Sequence, residues 1–163
     1  MTEPQRFDAR ELFAALARHE VEYLTIGGIA IQAHGGQRLT RDLDVIIAAS
    51  AENFTRLADA LRDLDARILG PAGQRSRSVP TASLLASSDQ WHLVTIHGGL
   101  DLVTLPAHLG TFAELRGRAH EVALGELSVP IAHRTDLIEM KRAAGRPQDL
   151  ADIRLLESLD DSP

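Results

Sequence analysis

Apolar residues recur along the chain first at helical and then at strand spacing, and each change of period marks an element. Leu12, Phe13 and Leu16 form the stripe of a first helix that Asp8 can cap, with Glu11 three residues on, and that ends near Glu20. The apolar run from Val21 to Ile26 reads as a strand closed by Gly27-Gly28, and a short helical stretch from Ile29 to His34 follows. A second strand opens on Asp42-Leu43-Asp44 and continues as Val45-Ile46-Ile47. Ser50 can cap a helix whose buried face is Phe54, Leu57, Ala58, Leu61 and Leu64.

Beyond Ala66 to Leu69, a further strand, the stretch from Gly70 to Pro80 mixes Gly, Pro, Ser and Arg and reads as a loop. Trp91 to Ile96 and Leu100 to Leu105 predict a hairpin turning at His97-Gly98-Gly99, and His120 to Leu124 with Leu127 to Ile131 predict another about Gly125-Glu126. Two helices end the pattern. The first starts at Thr135 or Asp136 and stops at Gly145, and the second starts at Pro147 with Leu150, Ile153 and Leu156 as its apolar face.

Composition narrows the class. A chain of 163 residues with 44% hydrophobic content fits one domain with its own core. No apolar run is long enough to span a bilayer, and Met1-Thr2-Glu3-Pro4 lacks the features of a signal peptide, so a soluble cytoplasmic protein without membrane contact is expected. There is no cysteine, which excludes disulfides and cysteine-bound zinc. A net charge of −6 argues against a broad basic face for nucleic acid, so any such contact is local. The local basic pairs are Arg38 with Arg41 and Arg75 with Arg77, the latter pair in the Gly/Ser/Pro loop.

The chemistry rests on carboxylates. Aspartate is depleted in strands, yet Asp42 and Asp44 share one strand face, where they repel each other unless cations or donors intervene. Asp101 is a third acid inside a strand-like run, and if the two strands are neighbours, three carboxylates could hold two divalent ions about 3.5–4 Å apart. Free N–H groups after Gly27-Gly28 suit phosphate oxygens. The histidines form no H-E-x-x-H pair, His92 and His97 are expected on opposite strand faces, and His34 reads as a structural helix-end residue. Neither a G-x-S-x-G elbow nor a Walker loop is present.

Gly27-Gly28, then Asp42-Leu43-Asp44, then the distant Asp101, resembles the signature of the nucleotidyltransferase superfamily related to DNA polymerase beta. The string Gly27-Gly28-Ile29-Ala30-Ile31-Gln32-Ala33-His34-Gly35-Gly36-Gln37-Arg38-Leu39-Thr40-Arg41-Asp42-Leu43-Asp44 is similar to its AbiEii-like, abortive-infection branch. So is Asp136-Leu137-Ile138-Glu139-Met140-Lys141, followed by Gly145-Arg146-Pro147-Gln148-Asp149-Leu150-Ala151-Asp152-Ile153, although Gln148 stands where that branch often has lysine. The resemblance runs from about Glu20 to Leu156. It implies an α+β nucleotidyltransferase fold: a mixed central sheet flanked by helices, with two helices at the C-terminal end.

The resemblance further implies transfer of a nucleoside monophosphate from an NTP to an acceptor hydroxyl, with Mg2+ or Mn2+ as cofactor. Asp42 and Asp44 would bind both metals, and Asp101 would complete the one nearer the nucleophile. Gly27 and Gly28 would admit the β- and γ-phosphates. Lys141 shares its helix side with Leu137 and Ile138, and either snorkels or reaches triphosphate. Arg38 and Thr40 are further candidates for nucleotide or acceptor contact, and Asp149 and Asp152 are expected to bind Arg146 or Lys141 rather than metal.

The acceptor stays open between transfer RNA, as for toxin-type members, a small molecule of antibiotic type, and a protein. A cognate antitoxin and self-association are compatible with the resemblance. The reading from another class is a non-catalytic nucleotide-binding or regulatory module of the same fold.

Overall fold

The computed structural model describes residues 6–159. Helix α1 (Ala9–Arg18) is capped as expected, Asp8 Oδ1 accepting from the Glu11 N–H at 3.3 Å, and it buries Leu12, Phe13, Ala15 and Leu16. Strand β1 (Tyr23–Ile26) leads directly into α2 (Gly27–Ala33), so the helix starts on the glycine pair rather than at Ile29. At its far end His34 is 3% exposed and its Nε2 lies 2.8 Å from the Ala132 carbonyl, a structural role. Strand β2 (Asp42–Ile47) and α3 (Ala51–Asp63) follow, the latter capped by Ser50.

Next come a two-residue β3 (Arg67–Ile68), a short α4 (Ala82–Leu85), β4 (Gln90–Thr95), β5 (Gly98–Val103) and α5 (Phe112–Arg118). The chain continues through β6 (His120–Leu124), β7 (Leu127–Ile131), α6 (Arg134–Ala144) and α7 (Pro147–Glu157). The strands form one mixed sheet in the order β3-β4-β5-β2-β1-β7-β6. Strand β2 runs parallel to β5 on one side and antiparallel to β1 on the other, and β1 is parallel to β7. The expected α+β architecture, a mixed central sheet flanked by helices with two helices at the C-terminal end, is thus the observed one.

Further expectations differ from the observed elements for identifiable reasons. Gly98 and Gly99 belong to β5, paired with Thr95 and Val94, so the hairpin turns at Ile96-His97 and His97 lies in the turn rather than on a strand face. Helix α6 is capped by His133, whose Nδ1 accepts from the Thr135 N–H at 3.2 Å, and so starts one to two residues early. Helix α5 was not anticipated, although Thr111 and Glu114 form a complete capping box. On α7, Leu150 is 54% exposed rather than buried. That helix instead turns Asp149 and Asp152 inward with Ile153 and Leu156, because cations of α6 and of the segment before β2 hold the two carboxylates.

Candidate active site

Strand register brings the predicted acids together. Asp42 and Asp44 lie two residues apart on β2 and therefore share a face, opposite to buried Leu43 and Val45. Asp44 stands directly across from Asp101 of β5, and Asp101 directly across from His92 of β4. Partners across a sheet point to the same side, so Asp44, Asp101 and His92 form one row of side chains over three strands. His92 Nδ1 lies 3.0 Å from Asp101 Oδ1, and His92 is the member of the row that sequence reasoning missed. Only the β4–β5 pairing reveals it.

Two glycines make room for the carboxylates. A Cβ on Gly27 would fall 2.8 Å from Asp44 Cγ, and one on Gly99 would fall 2.8 Å from Asp42 Cγ. Gly27 also has φ +68°, a conformation that L side chains rarely adopt. Gly28 serves a different neighbour, since a Cβ there would come within 2.7 Å of Thr40 Cβ. Thr40 cannot retreat easily, because its hydroxyl donates to the Asp42 carbonyl at 2.9 Å. Gly28→Val is therefore expected to push Thr40 off its bond to the Asp42 carbonyl and to cost about 1–3 kcal/mol, read as a lowered melting midpoint.

The charges are out of balance. Burial, then Asp101 and then Asp42 push the Asp44 carboxyl up to about 7, while Lys141 pulls it the other way. Asp42 is raised by burial first and by Asp101 second. Carboxylates crowded on one face repel each other, and a cation between them would relieve that repulsion. Their hard oxygen donors suit Mg2+ or Mn2+. Among the described residues, no three His, Asp or Glu side chains are placed to hold a metal ion as they stand. The donor chemistry fits a divalent ion, and side-chain rotation would have to bring the oxygens together.

On the opposite wall, α6, the residue that caps α7 and the segment before β2 supply cations that already have partners. Lys141 Nζ is 2.8 Å from Asp152 Oδ2 and 3.4 Å from Asp149 Oδ1. Arg38 Nε is 3.0 Å from Asp152 Oδ1, and Arg146 Nε donates to Asp149 Oδ2 at 2.7 Å. Hydrogen bonds from Arg146 hold the Asp149 carboxyl below the usual carboxylate range, against its burial. The expectation that Asp149 and Asp152 bind cations of the protein matches these contacts. Arg38 and Lys141 border the cleft, but each is already paired with a buried carboxylate.

Together these residues line a cleft of about 660 Å³, which holds Gly27, Gly28, Arg38, Thr40, Asp42, Asp44, Asp101 and Lys141 along with His92 and Arg146. All eight predicted positions face this one space. Exposed Arg41 and the 93% exposed Leu39 are at its rim.

No protein-family model matches the chain, and comparison with curated proteins finds no match. Solved structures are similar in fold. The lincosamide antibiotic adenylyltransferase LnuA, bound to lincomycin, superposes with a TM-score of 0.62 at 16% identity over 94% of this chain and 98% of its own. The antibiotic-resistance factor ANT(2'')-Ia gives 0.60 at 17% identity, over 91% and 80%. A Thermotoga maritima protein described as a nucleotidyltransferase gives 0.56 at 12% identity, over 90% and 88%. With its mixed sheet, its flanking helices and these likenesses, the chain has the nucleotidyltransferase fold.

Proposed function

We propose that the cleft transfers a nucleoside monophosphate from an NTP to an acceptor hydroxyl. The observation that carries this reading is the row of Asp44 and Asp101, with Asp42 beside it, on the open face of a sheet of this fold. The acceptor oxygen bonds to the α-phosphorus, the bond from that phosphorus to the bridging oxygen breaks, and pyrophosphate leaves. The hydroxyl proton passes to Asp101, whose side chain is 27% exposed toward the cleft. Asp42, Asp44 and Asp101 would hold Mg2+ or Mn2+, which supplies positive charge for the oxygens of the reacting phosphate.

The chain's own residues shape the rest. The N-terminus of α2 has no side-chain cap, so its N–H groups stay open toward the triphosphate. The guanidinium of Arg146 is bound to Asp149 while its side chain remains 67% exposed at the cleft, and it offers charge to the β- and γ-phosphates. Lys141 neutralises Asp149 and Asp152 and fixes the wall against which the triphosphate lies. Two acceptor classes stay in view: a transfer RNA end, as in toxin-type enzymes, and a compact antibiotic-like molecule, favoured by the likeness in size and fold to LnuA.

The test offers α-labelled NTPs, each with Mg2+ or Mn2+, to the protein with RNA, lincomycin or tobramycin. Label is expected on an acceptor with wild type and not with Asp44→Asn. If the two behave alike and neither binds any NTP, the reading fails.

A further inference from the structure

The row of side chains that begins in the catalytic cleft does not stop at His92. Strand β3 pairs with β4 so that Ile68 faces Leu93, and Leu69 N–H donates to the His92 carbonyl at 2.8 Å, which places Leu69 next in the row. Leu69 in turn forms an antiparallel bridge with Arg75. That bridge is closed on both sides, by Gly70 N–H to the Gln74 carbonyl at 2.8 Å and Ser76 N–H to the Ile68 carbonyl at 2.9 Å. Asp44, Asp101, His92, Leu69 and Arg75 therefore succeed one another on one face of the sheet. The neighbouring residues Leu93 and Leu100 point to the other face and are buried.

Beyond Asp101 this face is open. The His92 side chain is 55% exposed, Leu69 is 40% exposed and Arg75 is exposed. Arg75 makes no ion pair among the described residues, unlike Arg38, Lys141 and Arg146 on the opposite wall. Three strand spacings separate Arg75 from Asp101, about 14 Å at the backbone. An acidic end where a hydroxyl reacts, an exposed apolar step and a free guanidinium thus lie in line.

The geometry points to an acceptor track along this row, from the reacting hydroxyl at Asp44 and Asp101, past His92 and Leu69, to a phosphate held by Arg75. The inference rests on nucleotidyl transfer in the cleft and names the acceptor class as a phosphodiester chain with a free 3′ hydroxyl. Arg75 binds a phosphate set back from the reacting end, and Leu69 supports a sugar or base face between them. The contact is local, as a chain of net charge −6 requires. A cationic amino sugar would meet like charge at the far end.

The experiment measures anisotropy of a 5′-labelled single-stranded oligoribonucleotide with a free 3′ hydroxyl, in Mg2+ with a non-hydrolysable NTP analogue, over a range of salt. Arg75→Glu is expected to weaken binding at least tenfold and to lower the salt slope by about one, with NTP affinity unchanged. Arg75→Lys is expected to keep most of the affinity. Binding of Arg75→Glu within twofold of wild type, or efficient labelling of tobramycin without binding of the oligonucleotide, overturns the track. An oligonucleotide that does not bind while NTP binding persists also overturns the track alone. Failure of wild type to bind any NTP overturns the transfer reading with it.

Discussion

Asp44→Asn is expected to lose nucleotidyl transfer by at least a thousandfold and yet to melt higher than wild type at pH 8. The first effect would follow from removing an oxygen donor to the divalent ion that the proposed transfer needs, a contribution of several kcal/mol at tenfold per 1.36 kcal/mol. The second follows from proton linkage. In the fold Asp44 keeps its proton up to about 7, against 3.8 for an ordinary aspartate. Between these values the native state binds more protons than the unfolded chain, so stability falls as pH rises through the window and the loss is complete above it. Its upper bound is about 4 kcal/mol.

Asparagine carries no charge and escapes this loss. The variant's advantage in thermal midpoint should amount to several degrees at pH 8 and shrink toward zero near pH 4. Mg2+ or Mn2+ at pH 8 should raise the wild-type midpoint and leave the variant nearly unmoved. A variant that melts lower at pH 8, or that still transfers, would contradict the account of the carboxylate row.

Lys141→Met is expected to be the most destabilising substitution in the cleft wall. Methionine keeps the apolar stem but leaves Asp149, which is inaccessible, and Asp152, 5% exposed, short of a shared cation. Breaking a buried pair from one side costs about 3–5 kcal/mol, which in a chain of this length lowers the melting midpoint by roughly 10 °C. Arg146 still holds both oxygens of Asp149 and Arg38 one oxygen of Asp152, which keeps the loss near the lower figure. Adding Asp152→Asn to Lys141→Met should recover part of the midpoint, because the uncompensated charge is removed as well. A double variant no more stable than the single would show that Lys141 acts through packing alone.

The carboxylates were legible because strand alternation is local: Asp42 and Asp44 share a face whatever the strand pairs with. The position of Asp101 opposite Asp44 needed the β2–β5 pairing; the β4–β5 hairpin was legible, but the register that sets His92 against Asp101 and the two pairings that lead on to Arg75 were not. Thr111 and Glu114 did leave such a mark, and their capping box announces α5. Leu150 misled by its helical spacing with Ile153 and Leu156. Spacing alone cannot tell that a face with two aspartates will turn inward when Lys141, Arg38 and Arg146 converge on it. Gly98 and Gly99 read as a turn because glycine breaks strands, whereas Gly99 lies within β5 where a Cβ would strike the Asp42 carboxylate.

The ion pair between Arg38 and Asp152 joins residues 114 positions apart in the chain, counting from 38 to 152. During synthesis the segment carrying Arg38 and Thr40 leaves the ribosome long before its anchor on α7 does. Until residue 152 has emerged, one side of the cleft lacks the contact that fixes it, although the carboxylate strands can already pair. The nascent chain therefore passes through a stage with its carboxylate strands paired and the opposite wall of the cleft unset, which lasts until Asp152 has emerged.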